Sequence, residues 1–317
     1  MHQILSILKE LSGCSLTALQ ERLTSNYAFS QISIAEISTI VQELIRKEII
    51  EQLGNELIIG IEGEKIVNTK DFYSVFKSEP NFKVINFDKA IGEIPLMSII
   101  EVDENILLAA RIWKVVDIDY KAKKIFVIVA KDGKKPKFFG SGGDIHPKIR
   151  EKMLQLLMSD QAWPDLDEPA LEAIRQLQND FKGYSIRDLA YDRPVVAKES
   201  ETILYTFQGT KVNRSLQFLL DFTGIEFIYS EQSSSFTLKV KPGSISTLLN
   251  QVYGKLKEID IHLESAVQTK PALIEFSKWG SFLPISYQCR LLKEKHFDFE
   301  ALQEFIEKVK FVTYTLN

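Results

Sequence analysis

Apolar residues recur at spacings of three and four from the start of the chain. Ile4, Leu5, Leu8 and Leu11 fall on one stripe of a helix over 2–11. A second helix carries Leu16, Leu19 and Leu23, with Ser15 or Thr17 placed to cap it. A third, over 33–47, sets Ile34, Ile37, Ile40, Val41, Leu44 and Ile45 at the same spacings. The period then changes. The run IIEQL-GNE-LIIGI (49–61) places two β-prone segments around Gly54-Asn55, which predicts a hairpin. Three short helices followed by a two-stranded wing is the order of a winged helix, here spanning 1–68.

From 70 to about 131 the β pattern dominates, in DFYSVF, FKVINF, ILLAARIWKVVDID and KKIFVIVA. Polar turns at Asp88-Lys89 and Tyr120–Lys123 separate them, so the segment reads as an antiparallel sheet with a tendency to curl toward a barrel. Alternation along ILLAARIWKVVDID puts Trp113 on the face of Arg111 and Val115. A loop over 132–144 leads to a helix over 146–158 with Pro147 at its start, where the missing N–H does no harm. A further helix covers 168–181. The stretch 183–200, mixed in charge and rich in Gly, Ser and Pro, reads as an irregular connection that could divide the larger region, 69–317. Residues 202–264 alternate strand, helix, strand, strand, helix, and two helices near 285–294 and 299–309 precede a β-prone FVTYTL. The fold class is α+β: a winged helix, then a larger domain with a sheet and several helices.

Composition narrows the chemistry. The 317 residues are 45% hydrophobic with 20 Phe, enough for sizeable cores. A net charge of −4 excludes a uniformly basic nucleic-acid wrapper but not a local basic stripe. Two distant cysteines, Cys14 and Cys289, give neither a disulfide framework nor zinc spacing, and His2, His146, His262 and His296 are scattered. The first residues lack a signal-peptide pattern, and no apolar run nears the roughly 20 residues that cross a bilayer, so the expected compartment is the cytoplasm. No phosphate loop or serine elbow is present; Gly209-Thr210-Lys211 lacks the upstream glycine. No catalytic or metal residue is therefore assigned. Gly140-Ser141-Gly142-Gly143 before a helix suits a tight turn and is also compatible with a nucleic-acid phosphate.

The regional signal is charge. Between residues 108 and 152 twelve cationic side chains face five anionic ones, a local +7. Trp113, Phe138 and Phe139 lie in the same stretch. Cations for phosphates interleaved with an aromatic for a base are what a single-strand binder needs. Arg111, Trp113, Lys134, Lys135 and Lys137 are accordingly the candidate nucleic-acid-binding residues.

Several segments carry a resemblance. GIEGEKIVNTKDFYSVF (60–76), IGEIP (91–95), LLAARIWKVVDID (107–119), PKFFGSGGDIH (136–146), YTFQGTKVN (205–213) and KWGSFLP (278–284) stand in the order found in Lhr (large helicase-related) helicases of the DEAD/DEAH class. The chain resembles the part after the two RecA-like motor domains, a winged helix and a large C-terminal domain. The resemblance implies a 3′-to-5′ ATP-dependent DNA helicase in which this region guides the single-stranded tracking strand. A tryptophan would stack on a base of that strand. Trp113 occupies the family's Gly-Arg-x-Trp position, with Ala110 in place of the glycine; Trp279 and Trp163 are the other candidates. ATP and Mg are expected only in the motor domains, joined in cis or in trans, and the DNA partner is single-stranded or tailed. The helix over 33–47 is too poor in outward cations for major-groove reading, so the winged helix is expected to brace the motor against the C-terminal domain. The alternative is a stand-alone interaction module that recruits a separate helicase or DNA-repair or defence partner. An enzyme acting on bases ranks last.

Overall fold

The computed structural model describes residues 1–74, 81–95, 102–134, 143–161, 163–198 and 200–313. Two compact units emerge. One joins Met1–Asn68 with Asp144–Asn317, and the other is Thr69–Gly143. The first unit groups the winged-helix region with residues 144–317, and residues 69–143 stand as the second.

The N-terminal elements are α1 (His2–Leu11), β1 (Cys14–Ser15), α2 (Leu16–Thr24), α3 (Ile34–Arg46), β2 (Ile50–Leu53), β3 (Glu56–Ile59) and α4 (Ile61–Val67), with strand order β1-β3-β2. Ser15 caps α2 by accepting from the Ala18 N–H. Ser33 and Glu36 form a capping box on α3. Leu5, Leu8, Leu19, Val41 and Leu44 bury the apolar stripes that the spacing predicts. Gly63 is required by packing, since a Cβ there would run into the Ile49 carbonyl oxygen.

The second unit begins with a 3₁₀ turn, Lys70–Tyr73, where a strand is expected from DFYSVF; Thr69 caps it through the Phe72 N–H. Among the described residues five strands follow: β4 (Asn81–Asn86), β5 (Lys89–Pro95), β6 (Asn105–Leu108), β7 (Arg111–Asp119) and β8 (Lys124–Val129), in the order β5-β4-β8-β7-β6. The β4/β8 pairing is parallel, so the sheet is mixed and not purely antiparallel. The run ILLAARIWKVVDID, expected as one strand, is a hairpin: Ala109 and Ala110, at φ 50 and 57, make a two-residue turn. A bulge between Val115 and Asp117 re-aims the end of β7. Phe82, Val84, Ile94, Ile106, Trp113, Val115, Ile125 and Val127 form the core of this unit.

The remainder of the first unit holds α5 (Pro147–Leu157), α6 (Glu168–Lys182), β9 (Asp192–Ala197), β10 (Thr202–Tyr205), α7 (Thr210–Leu220), β11 (Phe227–Ser230), β12 (Ser235–Leu238), α8 (Ile245–Leu256), α9 (Ile259–Thr269), α10 (Ile285–His296), α11 (Phe299–Lys308) and β13 (Lys310–Thr313). The sheet order is β11-β12-β10-β9-β13, antiparallel except for β9/β13. Its main core joins Leu204, Phe236 and Leu238 of the sheet to Leu216 and Leu219 of α7, Leu249 and Val252 of α8, and Leu302 of α11. The strand β9 corrects the irregular connection expected over 183–200. Asp192 and Arg193 look like loop residues in sequence but are buried there. Arg193 is tolerated because its guanidinium donates to the carbonyls of Thr206, Leu189, Asp192 and Ala190.

Candidate nucleic-acid interface

The hairpin of β6 and β7 sets the site. Antiparallel pairing puts Leu108 opposite Arg111 and Ile106 opposite Trp113. Trp113 is 8% exposed and sits in the core of its sheet. Its indole N–H donates to the Leu108 carbonyl at 3.0 Å, satisfying the one polar atom of the ring. The exposed Arg111 guanidinium lies 5.7 Å from the centroid of that ring. Stacking a base needs an open aromatic face, and burial leaves Trp113 little of one. What the ring offers is a support beneath the arginine: a cation–π contact that holds a charged, bidentate donor at the sheet edge.

Lys134 is exposed, and its backbone is pinned to the same hairpin. The Asn105 side-chain amide donates to Asp132 at 2.6 Å and to the Lys134 carbonyl at 3.1 Å, while the Lys134 N–H donates to Asp132 at 3.2 Å. These hydrogen bonds, the Asn105 amide foremost, hold the Asp132 carboxyl below its ordinary range. Asn105 is three residues from Leu108 along β6, roughly 10 Å at strand rise. Arg111 and Lys134 are thus both tied to the β6–β7 hairpin, one beside its turn and the other at its open end. Lys135 and Lys137, with Phe138, Phe139 and Gly140–Gly142, lie outside the described residues.

The structure divides the basic stretch. Lys114 is spent internally, 3.1 Å from Asp103 and 3.6 Å from Asp132. Arg150 belongs to the first unit and is buried, donating to the Gln232 carbonyl at 3.0 Å and to the Glu231 backbone. Arg111, Lys121, Lys123, Lys131 and Lys134 remain exposed on the second unit. The pairing of Asn105 with the 132–134 loop escapes a reading of sequence, because a single Asn in an apolar run gives no sign of which loop returns to it.

The other tryptophan candidates are placed elsewhere. Trp279 lies 5.4 Å from the His2 ring, in the segment that meets the winged helix. Trp163 sits between α5 and α6. The winged helix itself is braced: Arg290 of α10 pairs with Glu36 of α3 at 2.9 Å, and Lys47 donates to the Ser281 carbonyl at 2.8 Å. One stripe of the helix that would read DNA in a winged-helix protein is therefore committed to its own chain. YTFQGTKVN (205–213) likewise does structural work. Thr206 donates to Asn213 at 2.7 Å, Asn213 donates to the Gln208 carbonyl and to Tyr229, each at 3.0 Å, and Gly209 admits Pro147, whose Cδ a Cβ would meet at 2.7 Å.

No protein-family profile matches the chain, and no curated protein does. A solved structure described as "Crystal Structure of DUF1998 helicase MrfA bound to DNA" is similar at 12% identity with a TM-score of 0.27. That match covers 81% of this chain and 35% of the other, so the present chain spans about a third of that helicase's length. Among the described residues, no helix is long and apolar enough to cross a membrane, and no cluster of His, Cys, Asp or Glu is placed to hold a metal ion.

Proposed function

We propose that the chain is a nucleic-acid-handling, non-motor region of an Lhr-like ATP-dependent DNA helicase, guiding the single-stranded tracking strand. The observation that carries this reading is the basic edge of the second unit, with Arg111 held on Trp113 and Lys134 pinned by Asn105. Both cations are exposed and neither is consumed by an ion pair among the described residues, which is the arrangement that takes phosphates without reading sequence. Lys135 and Lys137 extend the same basic run and join the proposed site. RecA-like motor domains, in cis or in trans, supply ATP and Mg chemistry.

The test is binding of fluorescent oligo(dT) across a salt series. Arg111→Ala with Lys134→Ala should weaken binding and flatten its log–log salt slope by up to about 0.7 for each phosphate that is no longer neutralised. An unchanged slope moves the strand to another surface. The chain alone should hydrolyse no ATP with or without DNA; turnover abolished by a point substitution within it would sink the proposal.

A second reading, a module that recruits a separate helicase or repair partner, draws on the opposite face of the same sheet. Leu107, Ile112 and Ile128 share that face and are 40%, 37% and 42% exposed. Single-strand binding absent at low salt, with a Leu107→Ser and Ile112→Ser variant that no longer holds a protein partner, favours this reading.

A further inference from the structure

A cleft of about 440 Å³ opens in the first unit between α5, β9 and α11. It is far from empty of chemistry. Tyr191 and Phe305 contribute aromatic rings, and Glu151, Gln155 and Gln208 contribute polar side chains. None of those three side chains makes a hydrogen bond or ion pair among the described residues. The Gln208 backbone is fully used, donating to Thr206 and accepting from Asn213, which fixes the residue while leaving its amide uncommitted.

Arg193 lines the same cleft and is 2% exposed. A guanidinium has five N–H donors. Four of them go to backbone carbonyls, so one Nη2 N–H is left without a partner in a buried group. Desolvation lowers the Arg193 pKa to about 10, which keeps the side chain charged at neutral pH. The cleft therefore sets a buried cation beside Glu151, whose charge acts on it but which makes no hydrogen bond among the described residues, with two amides that can both donate and accept, beside aromatic faces.

That set excludes several ligand classes. A phosphate or carboxylate would meet Glu151 on the lining, and a basic side chain would meet Arg193. Glu304 is already neutralised by Lys308 at 2.7 Å, and Lys308 also sits 5.3 Å from the Tyr191 ring centroid. The aromatic rings beside these polar groups favour a neutral planar heterocycle with an acceptor edge beside a donor edge. Among nucleobases, guanine matches best. Its O6 and N7 take an arginine N–H, and its adjacent N1–H and N2–H₂ present two donors to one carboxylate. Adenine has no such paired donors.

We propose that this cleft is a guanine-binding site, with Arg193 and Glu151 reading the acceptor and donor edges and Tyr191 stacking on the base. As a site on a strand-handling protein it rests on the function proposed above, but the recognition chemistry is the same for a free guanosine and for a guanine splayed from a strand.

Calorimetric titration of the full chain with guanosine, adenosine and cytidine tests the recognition, and oligo(dT) with and without one central dG tests the source. Guanosine should bind at least tenfold more tightly than adenosine or cytidine. Glu151→Gln should remove about tenfold of that affinity, the size of one hydrogen bond to a charged group. Tyr191→Ala should cost a comparable factor through the missing stacking surface. Glu300→Gln, an exposed carboxylate on α11 outside the lining, should change nothing. Preference for the dG oligomer that disappears with Glu151→Gln identifies a strand base as the source, and a preference confined to the nucleoside identifies a free ligand. Equal binding of all three nucleosides, or guanosine affinity unmoved by Glu151→Gln in a variant with unchanged melting, overturns the proposal. Oligo(dT) binding that survives while guanine selectivity fails leaves the basic edge standing and removes only the cleft. Guanosine binding without any oligo(dT) binding does the reverse.

Discussion

Arg111 and Trp113 are two residues apart, yet their substitutions should separate cleanly. Trp113→Ala empties a buried volume and removes the indole hydrogen bond to the Leu108 carbonyl, a cost of about 3–5 kcal/mol for a large core aromatic. Its melting temperature should fall steeply, and any weakening of strand binding should track unfolding. Arg111→Ala should leave melting nearly unchanged and weaken binding with a flatter salt slope. Thermal melting and oligo(dT) titration of both variants decide it. If Trp113→Ala keeps its melting temperature and binds the strand selectively less well, the ring itself stacks on the strand. The neighbouring turn allows a second experiment. Ala109 and Ala110 both hold left-handed backbone, at φ 50 and 57, a conformation L-residues adopt at a cost of about 1–2 kcal/mol each. Ala110→Gly relieves one of them, less the entropy that glycine adds to the unfolded chain. A net gain of about 0.5–1 kcal/mol should appear as a higher urea midpoint, and no gain would mean that the turn is not strained.

At the scale of elements, the winged helix is held by groups that titrate. Hydrogen bonding from Arg46, then Lys47, lowers the Glu43 pKa from 4.5 to about 2, and the Ser33 backbone N–H leads in lowering that of Glu36. Each carboxylate has a folded-state pKa below its unfolded value. Their stabilisation is complete above the unfolded value and is lost as pH falls through the folded one. Melting temperature should decline between pH 4.5 and about 2, and Glu43→Gln should show a smaller decline over that window. Parallel curves for the two proteins would remove Glu43 from the account. Much at this scale is legible in sequence. The stripes of α1 to α3, the Gly54 hairpin and the Pro-initiated α5 and α6 follow from local spacing and capping. What is not legible depends on distant partners. Asp192-Arg193-Pro194 reads as a linker until four carbonyls receive the guanidinium, and the alternation of ILLAARIWKVVDID runs straight across its turn. The helix α9 is hidden because its apolar residues continue those of α8 with no breaker between them. The candidate site is half legible: charge and composition locate the basic edge, while the burial of Trp113 and the unspent polar lining of the cleft exist only in three dimensions.

For the whole molecule, the two units differ in what holds them. Among the described residues, the second shows one small core of eight buried side chains, whereas the first combines several packed clusters. Small cores stabilise less, so the second unit should open at lower free energy. Native-state hydrogen exchange reads this directly: amides of Ile106, Val115 and Ile125 should exchange through an opening that Leu204 and Phe236 do not share. A common opening energy for both sets would mean that the units unfold together. The brace between α3 and α10 has a consequence for the nascent chain. Glu36 and Arg290 are 254 residues apart, so at about 5–20 residues per second the winged helix leaves the ribosome roughly 13–50 s before its partner exists. Throughout that interval the docking stripe of α3 faces water and chaperones. A stripe that sets Glu36, Glu43 and Lys47 around a single isoleucine, Ile40, shows the exit tunnel little apolar surface, and its closing contacts are an ion pair and a backbone carbonyl.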